Sequence, residues 1–408
     1  MAATMTALPS VRRLGWAPHR LLFFVGAGNL LLAMGWWGAW LIGQRYPGAA
    51  TVGQPELFAG WLHAFIMQYQ VLPTFMAGFL LTVFPRWMGL AELPRWRYAP
   101  VGLGLLGGQA ATLAGALGSG PGLFVGWLMT LAGWIALLAT LAPMLWRERG
   151  ITWHARAIVI ALSAGMVGLL LHGAYLLGGA AVLGLASIKI GSLGLLLPVY
   201  LVVAHRMFPF FAGNVVADYQ PWRPLWLLAA AGGLLALHLA LELLQLPAWV
   251  WLPDLGLFAL TSLMCWRWWP QGPMPGILRA LFIGLAWLPI AFALYAGQSF
   301  GYLVTGVLAL GRAPAHALFI GFFGSVLVAM VTRVAQGHSG RPMRMPMIGW
   351  IAFVGIQVVA VLRIVAELSA DPLPWHAASA LGWLLVLAPW AARLGWIVLT
   401  PRVDGKPG

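Results

Sequence analysis

Long apolar runs, separated by short gaps that collect arginine, tryptophan, proline and glycine, divide this chain from end to end. The runs are continuous, not alternating, so they predict helices and exclude a β-barrel of the outer-membrane type. A helix needs about 20 apolar residues to cross a bilayer core, and each run meets that length. By this reading the spans fall at about 21–42, 57–84, 98–118, 122–146, 155–178 and 186–207 in the first half. In the second half they fall at about 224–245, 250–268, 278–303, 313–333, 347–368 and 376–399. The predicted fold class is all-α: a polytopic membrane protein of about 12 transmembrane helices in one bundle. The gaps are too short for a separate soluble domain, so residues 1–408 read as a single integral-membrane domain with short tails at 1–20 and 400–408.

The cations set an orientation. With the N-terminus inside, the cytoplasmic gaps and tails hold 19 of the 23 Lys and Arg residues, from Arg12, Arg13 and Arg20 through to Arg402 and Lys406. The four left outside are Arg45, Lys189, Arg312 and Arg363. Basic residues favour cytoplasmic loops, so the bias predicts both termini inside. The basic N-terminus runs into the first span with no small-residue cleavage site, which reads as an uncleaved span and not a signal peptide.

Composition narrows the class further. Of the 408 residues 62% are hydrophobic and 8% charged, against about 25% charged in soluble domains. The formal charge of +14 is topology and not a nucleic-acid footprint, because the cations sit between spans. The single Cys265 excludes an intrachain disulfide and a cysteine metal cluster. The expected setting is a membrane, with the lipid bilayer as the first partner.

Ionisable side chains within a bilayer are costly and mark function by default. His63, His172, His238, His316 and His376 fall in the outer halves of five different predicted spans, so they form one layer. Neutral imidazole is a preferred ligand for iron, copper and zinc, and haem needs one or two axial ligands on facing helices. The competing reading for each is a histidine that bonds a neighbouring carbonyl or lines a wet cleft. Glu242 lies four residues after His238 and could orient that imidazole or carry protons. Asp254 and Glu367 lie near span ends and receive little weight. His205 and His338 sit beside basic gaps, where an interfacial or supporting role fits better than ligation. The 24 tryptophans gather at span ends as an aromatic belt. No P-loop, catalytic triad or CxxC is present.

Three stretches are more specific than generic spans. One runs His63–Gln70 and on through Ala77–Gly89, the second is His205–Asn214, and the third runs His316–Gly324 to Met330–Pro342. They resemble the NnrS family of membrane proteins, in which the second span reads like HAHEM followed by AGFLLTAVPNWTG. The family's sixth span ends like RRVIPFFTGN, and its tenth reads like HALTVG followed by MMTRVALGHTGRP. Gly284–Pro289 is a weaker echo. The resemblance implies a protein of bacterial nitric oxide metabolism, denitrification and the nitrosative stress response that binds haem, specifically haem b, and copper. By analogy with the twelve-span catalytic subunit of haem–copper oxidases, it makes His63 and His316 axial ligands, supported by His238 or His172. Arg333, Arg341 and Arg206 become candidates for haem propionates or lipid headgroups.

The sequence also departs from the family pattern. Phe65 stands at the family's second histidine, Ile66 at its glutamate, and Phe282 where a ninth-span histidine is expected. These losses mark a divergent member and count against copper, since a three-histidine site would have to recruit His172, His238 or His376. Met67, Gln68, Tyr69 and Gln70 follow His63 and could replace some of the missing polarity. The implied partners are nitric oxide or another small diatomic gas and an electron donor that the sequence does not name. Two other readings stay open: a transporter or channel without redox chemistry, and an accessory protein for haem or copper assembly.

Overall fold

The computed structural model describes residues 8–50 and 52–405; Lys406 and residues 1–7 of the first tail lie outside the described residues. Every long element is a helix, and no strand occurs among the described residues. In chain order the rods are α1 (Pro18–Arg45), α2 (Ala59–Trp87), α3 (Arg95–Ala116), α4 (Gly122–Arg147), α5 (Trp153–Leu176) and α6 (Ala181–Gly213). They continue as α7 (Leu225–Leu243), α8 (Trp251–Trp268), α9 (Gly276–Thr305), α10 (Ala313–His338), α11 (Met347–Ala366) and α12 (Leu373–Leu399). Ten of these are long and apolar enough to cross a membrane. The other two are α3, which is rich in glycine and opens on Arg95 and Arg97, and α8, which carries Asp254 and Arg267.

Small residues decide how closely the rods approach. A methyl group placed on Gly104 of α3 would lie 2.6 Å from the backbone of Gly133 on α4, and one on Gly115 would lie 2.4 Å from the amide of Leu123. Glycine therefore lets these two backbones touch, the usual packing device where lipid supplies no hydrophobic drive between helices. Gln70 of α2 ties this pair to the core. Its amide Nε2 donates to the hydroxyls of Thr112 and Thr130, at 2.9 Å each. Both threonines also donate to their own helices, to Gly108 O and Gly126 O. Gln70→Leu leaves those hydroxyls satisfied, and interhelical hydrogen bonds in membranes average about 0.6 kcal/mol. The expected loss is therefore only about 1 kcal/mol for the two bonds, read as a small shift in thermal unfolding in detergent.

Three rods are interrupted by wide, π-helical turns: Ile66–Val71 in α2, Ile190–Leu196 in α6 and Ala317–Gly324 in α10. Proline explains two of them. Pro73 and Pro198 have no N–H for the carbonyl four residues back, and their rings crowd it. The carbonyl released by Pro73 is that of Tyr69, which accepts from Trp134 Nε1 at 3.0 Å. The third turn has no following proline and opens immediately after His316. Such turns concentrate at functional sites, and all three meet one cavity.

Candidate functional site

The cavity has a volume of about 340 Å³ and lies at the end of the bundle where α2, α6, α10 and α12 begin. His63, His316 and His376 all line it, from α2, α10 and α12. His63 stands three residues before the first wide turn, Lys189 directly before the second and His316 directly before the third. A wide turn inserts an extra residue into the helix, so it re-aims the face that follows. Gln68 and Ser192, from the first two turns, also line the cavity and are joined at 2.9 Å.

Each histidine is held differently. The His63 ring stacks on Trp37, with centroids 4.4 Å apart and planes 12° apart. Its Nδ1 is buried with no hydrogen-bond partner, and a buried polar atom left unmatched costs about 1–3 kcal/mol. In His316 Nδ1–H donates to the carbonyl of Arg312 at 2.9 Å. That bond fixes the tautomer and leaves Nε2 as a lone-pair donor, the arrangement found in metal-ligating histidines. His376 Nε2 lies 3.3 Å from Glu367 Oε1, and Arg363 Nη1 donates to the same oxygen at 2.5 Å. The Arg312 amide also donates to Glu367, at 3.1 Å.

His172 does not line the cavity. Its ring stacks on Phe65 at 3.8 Å and 8°, so the phenyl group at the family's second histidine position supplies a ring face and no lone pair. His238 lies behind the cavity wall, where its Nδ1 meets Asp254 Oδ1 at 2.6 Å. Tyr69 is buried and donates to Ser187 O at 2.7 Å, tying α2 to α6. Met67 and Gln68 do line the cavity, whereas Gln70 serves the α3–α4 contact. Phe282 packs on Phe208 and Trp269 at the other end of the bundle.

Glu242 lines the cavity, and the remaining predicted residues lie at that other end. The His338 ring packs against that of His19, with centroids 4.3 Å apart and planes tilted by 36°. His205 Nε2–H donates to Pro224 O at 3.2 Å, so its Nδ1 accepts from His154 Nε2 at 2.9 Å. Arg333 lies over the Phe211 ring at 3.7 Å, Arg206 over Trp87 at 4.5 Å, and Arg341 donates to Thr400. His316 and His338 are 22 residues apart on α10, about 33 Å at 1.5 Å per residue. Arg333, Arg341 and Arg206 are therefore too far away to hold a group bound between His63 and His316.

The cations that do line the cavity are Lys189, Arg312 and Arg363. These are three of the four residues left outside by the positive-inside count. Their exception to the charge rule was the signal for them in the sequence: a cation kept where topology disfavours it has another use. Asp254 is completely buried and was missed because its position near a span end suggested water.

A family model described as NnrS protein matches residues 14–402. The chain belongs to the NnrS family. Membership connects it with the response to nitric oxide, and the matched range takes in all twelve rods. No curated protein matches the chain. For an NnrS-family chain the donor set can be tested against each metal group. Among the described residues no three His, Cys, Asp or Glu side chains are grouped so as to hold one metal ion. Haem takes one or two axial ligands, and His63 and His316 share the cavity, one with an unmatched nitrogen and one with a fixed tautomer, so this donor pair suits it.

Proposed function

We propose that this NnrS-family chain is a haem b-binding protein of the bacterial inner membrane that handles nitric oxide, with His63 and His316 as the axial ligands. The observation that carries this reading is that both imidazoles line one cavity between helices far apart in sequence. In the same reading all twelve rods span the bilayer and both termini face the cytoplasm, which the 19-to-4 distribution of cations supports. The cavity then opens in the outer half of the membrane.

Bound there, haem would supply one-electron redox chemistry toward nitric oxide. The chain's own residues do the rest. The bond from His316 Nδ1 to Arg312 O holds the imidazole plane and keeps the Nε2 lone pair available. Trp37 holds the plane of His63 by stacking. Arg312 and Arg363 at the cavity wall can take the acidic edge of the macrocycle by charge-assisted hydrogen bonds. An apolar pocket of about 60 Å³ lies toward the bundle centre, between Phe23, Phe75, Tyr200 and Met330, and Leu327 borders both it and the cavity. A small uncharged gas enters such an apolar void readily.

The test is a reduced-minus-oxidised absorption spectrum with iron analysis of detergent-purified protein, expressed with haem available. A b-type signal near one iron per chain is expected. Protein that folds, with its helicity intact, but holds no iron overturns the reading and turns attention to transport.

A further inference from the structure

In and behind the cavity wall lies a cluster of ionisable groups that the proposed haem ligation does not use. His238 and Glu242 come from α7, Asp254 from α8 and Lys189 from α6. His238 and Asp254 are both completely buried. His238 Nδ1–H donates to Asp254 Oδ1 at 2.6 Å, and Nε2 stands 3.8 Å from Glu242 Oε1. The other oxygen of Glu242 is 2.8 Å from Lys189 Nζ. Tyr295 of α9 meets the imidazole edge-on, with centroids 5.4 Å apart. Glu242, Lys189 and Tyr295 line the cavity, and His238 and Asp254 do not.

Two features make this more than a structural ion pair. His238 Nε2 and Asp254 Oδ2 are buried without a hydrogen-bond partner, so the cluster carries unused acceptor capacity. Its charge also depends on one proton. With Asp254 and Glu242 ionised and Lys189 protonated, Lys189 offsets Glu242, so a neutral imidazole leaves one net negative charge on the fully buried Asp254, and an imidazolium brings the four groups to neutrality. Surplus charge in a low-dielectric interior is strongly disfavoured, which favours uptake of that proton. Nδ1 is committed to Asp254, so the proton has to arrive at Nε2. The group facing Nε2 is Glu242, and a gap of 3.8 Å is one that a single water or a turn of the glutamate side chain closes.

We propose that His238 and Asp254 form a buried proton store that exchanges with the cavity through Glu242. In uptake the Glu242 carboxylate accepts a proton from a donor in the cavity and passes it to His238 Nε2, which becomes an N–H. In release the same N–H bond breaks and Glu242 carries the proton back. The His63–His316 site then has a proton source separate from bulk water; that use rests on the haem reading, whereas the store itself does not. Asp254, Glu242, Lys189 and Tyr295 are the groups that face the imidazole, and together they set its response to pH.

The experiment is nitrogen NMR of the full chain, purified in detergent with ¹⁵N-labelled histidine, in which imidazolium and neutral tautomers are separated. His238 is expected to change protonation state across the accessible pH range and to remain in a single neutral form in Asp254→Asn. Positioned acid–base transfer contributes about a hundredfold or more, so Glu242→Gln is expected to slow exchange of the His238 ring proton by about that factor. Lys189→Met, which spares the carboxylate, is expected to leave exchange fast. Glu242→Gln leaves the Asp254 bond in place, so the test stands even if Asp254→Asn fails to fold. A His238 that keeps one protonation state in the native protein, or one whose exchange is unchanged by Glu242→Gln, overturns the proposal. None of these signals needs iron, so a missing haem spectrum and a missing proton store are separate failures.

Discussion

Purified His63→Ala protein is expected to lose most of its haem, and His316→Ala to do the same. Each change removes a lone pair from the wall of a cavity otherwise bounded largely by apolar and cationic side chains. Mutating even groups that only support a metal ligand costs about 10–100-fold in affinity, so loss of a ligand should reach at least about tenfold. The measurement is the reduced-minus-oxidised spectrum normalised to protein. A fall in signal could also come from a collapsed cavity, since the His63 ring fills space against Trp37. His63→Gly with added imidazole separates the two causes: free imidazole restores the spectrum if the ligand was lost, and does not if the cavity closed. His172→Phe makes the contrast. The His172 ring lies flat on Phe65 at 3.8 Å, so a phenyl group reproduces its contact and haem should be retained. Loss of haem in His172→Phe with full retention in His63→Ala would remove the assignment of His63.

The second large effect concerns folding. Gly104→Leu is expected to destabilise the protein by about 3 kcal/mol or more, at the upper end of the range for overpacking. The side chain would have to enter space held by the Gly133 backbone, with a first carbon 2.6 Å from Gly133 Cα. A crowded side chain can rotate away, but a helix backbone cannot, so α3 and α4 must separate along their length. Separation pulls Thr112 and Thr130 off Gln70, and with them the rod that carries His63. Gly232→Ala in α7 is the control, because nothing lies within 4 Å of the added methyl group. It should stabilise the helix by up to about 1 kcal/mol. Thermal unfolding and monodispersity in detergent read both. A Gly104→Leu protein as stable as the native one would mean that α3 and α4 do not pack through this glycine.

Much of the architecture is legible in the order of residues alone. Helix positions followed from runs of apolar residues long enough for a bilayer, because one-dimensional hydropathy is what a membrane selects on. The segment around His63 and the one beginning at His316 could be singled out as unusual, and the family with them, since those depend on local residue order alone. That His63, His172, His238, His316 and His376 each lie toward an end of their rod was also readable, as position along a helix is arithmetic at 1.5 Å per residue.

Rotation about each helix axis was not readable, and the site depends on it. Depth alone could not say that His63, His316 and His376 turn inward to one cavity while His172 turns onto Phe65 and His238 onto Asp254. The three wide turns change that rotation partway along α2, α6 and α10, and only two of them have a proline to announce them. Nor could span-end position separate Asp254, which is buried, from an interfacial acid. The sequence by itself determined that the chain is built of long apolar helices, about where each of them falls and where the unusual segments lie. Only the tertiary structure decided which of the polar groups share one space, because that follows from packing between helices far apart in the chain.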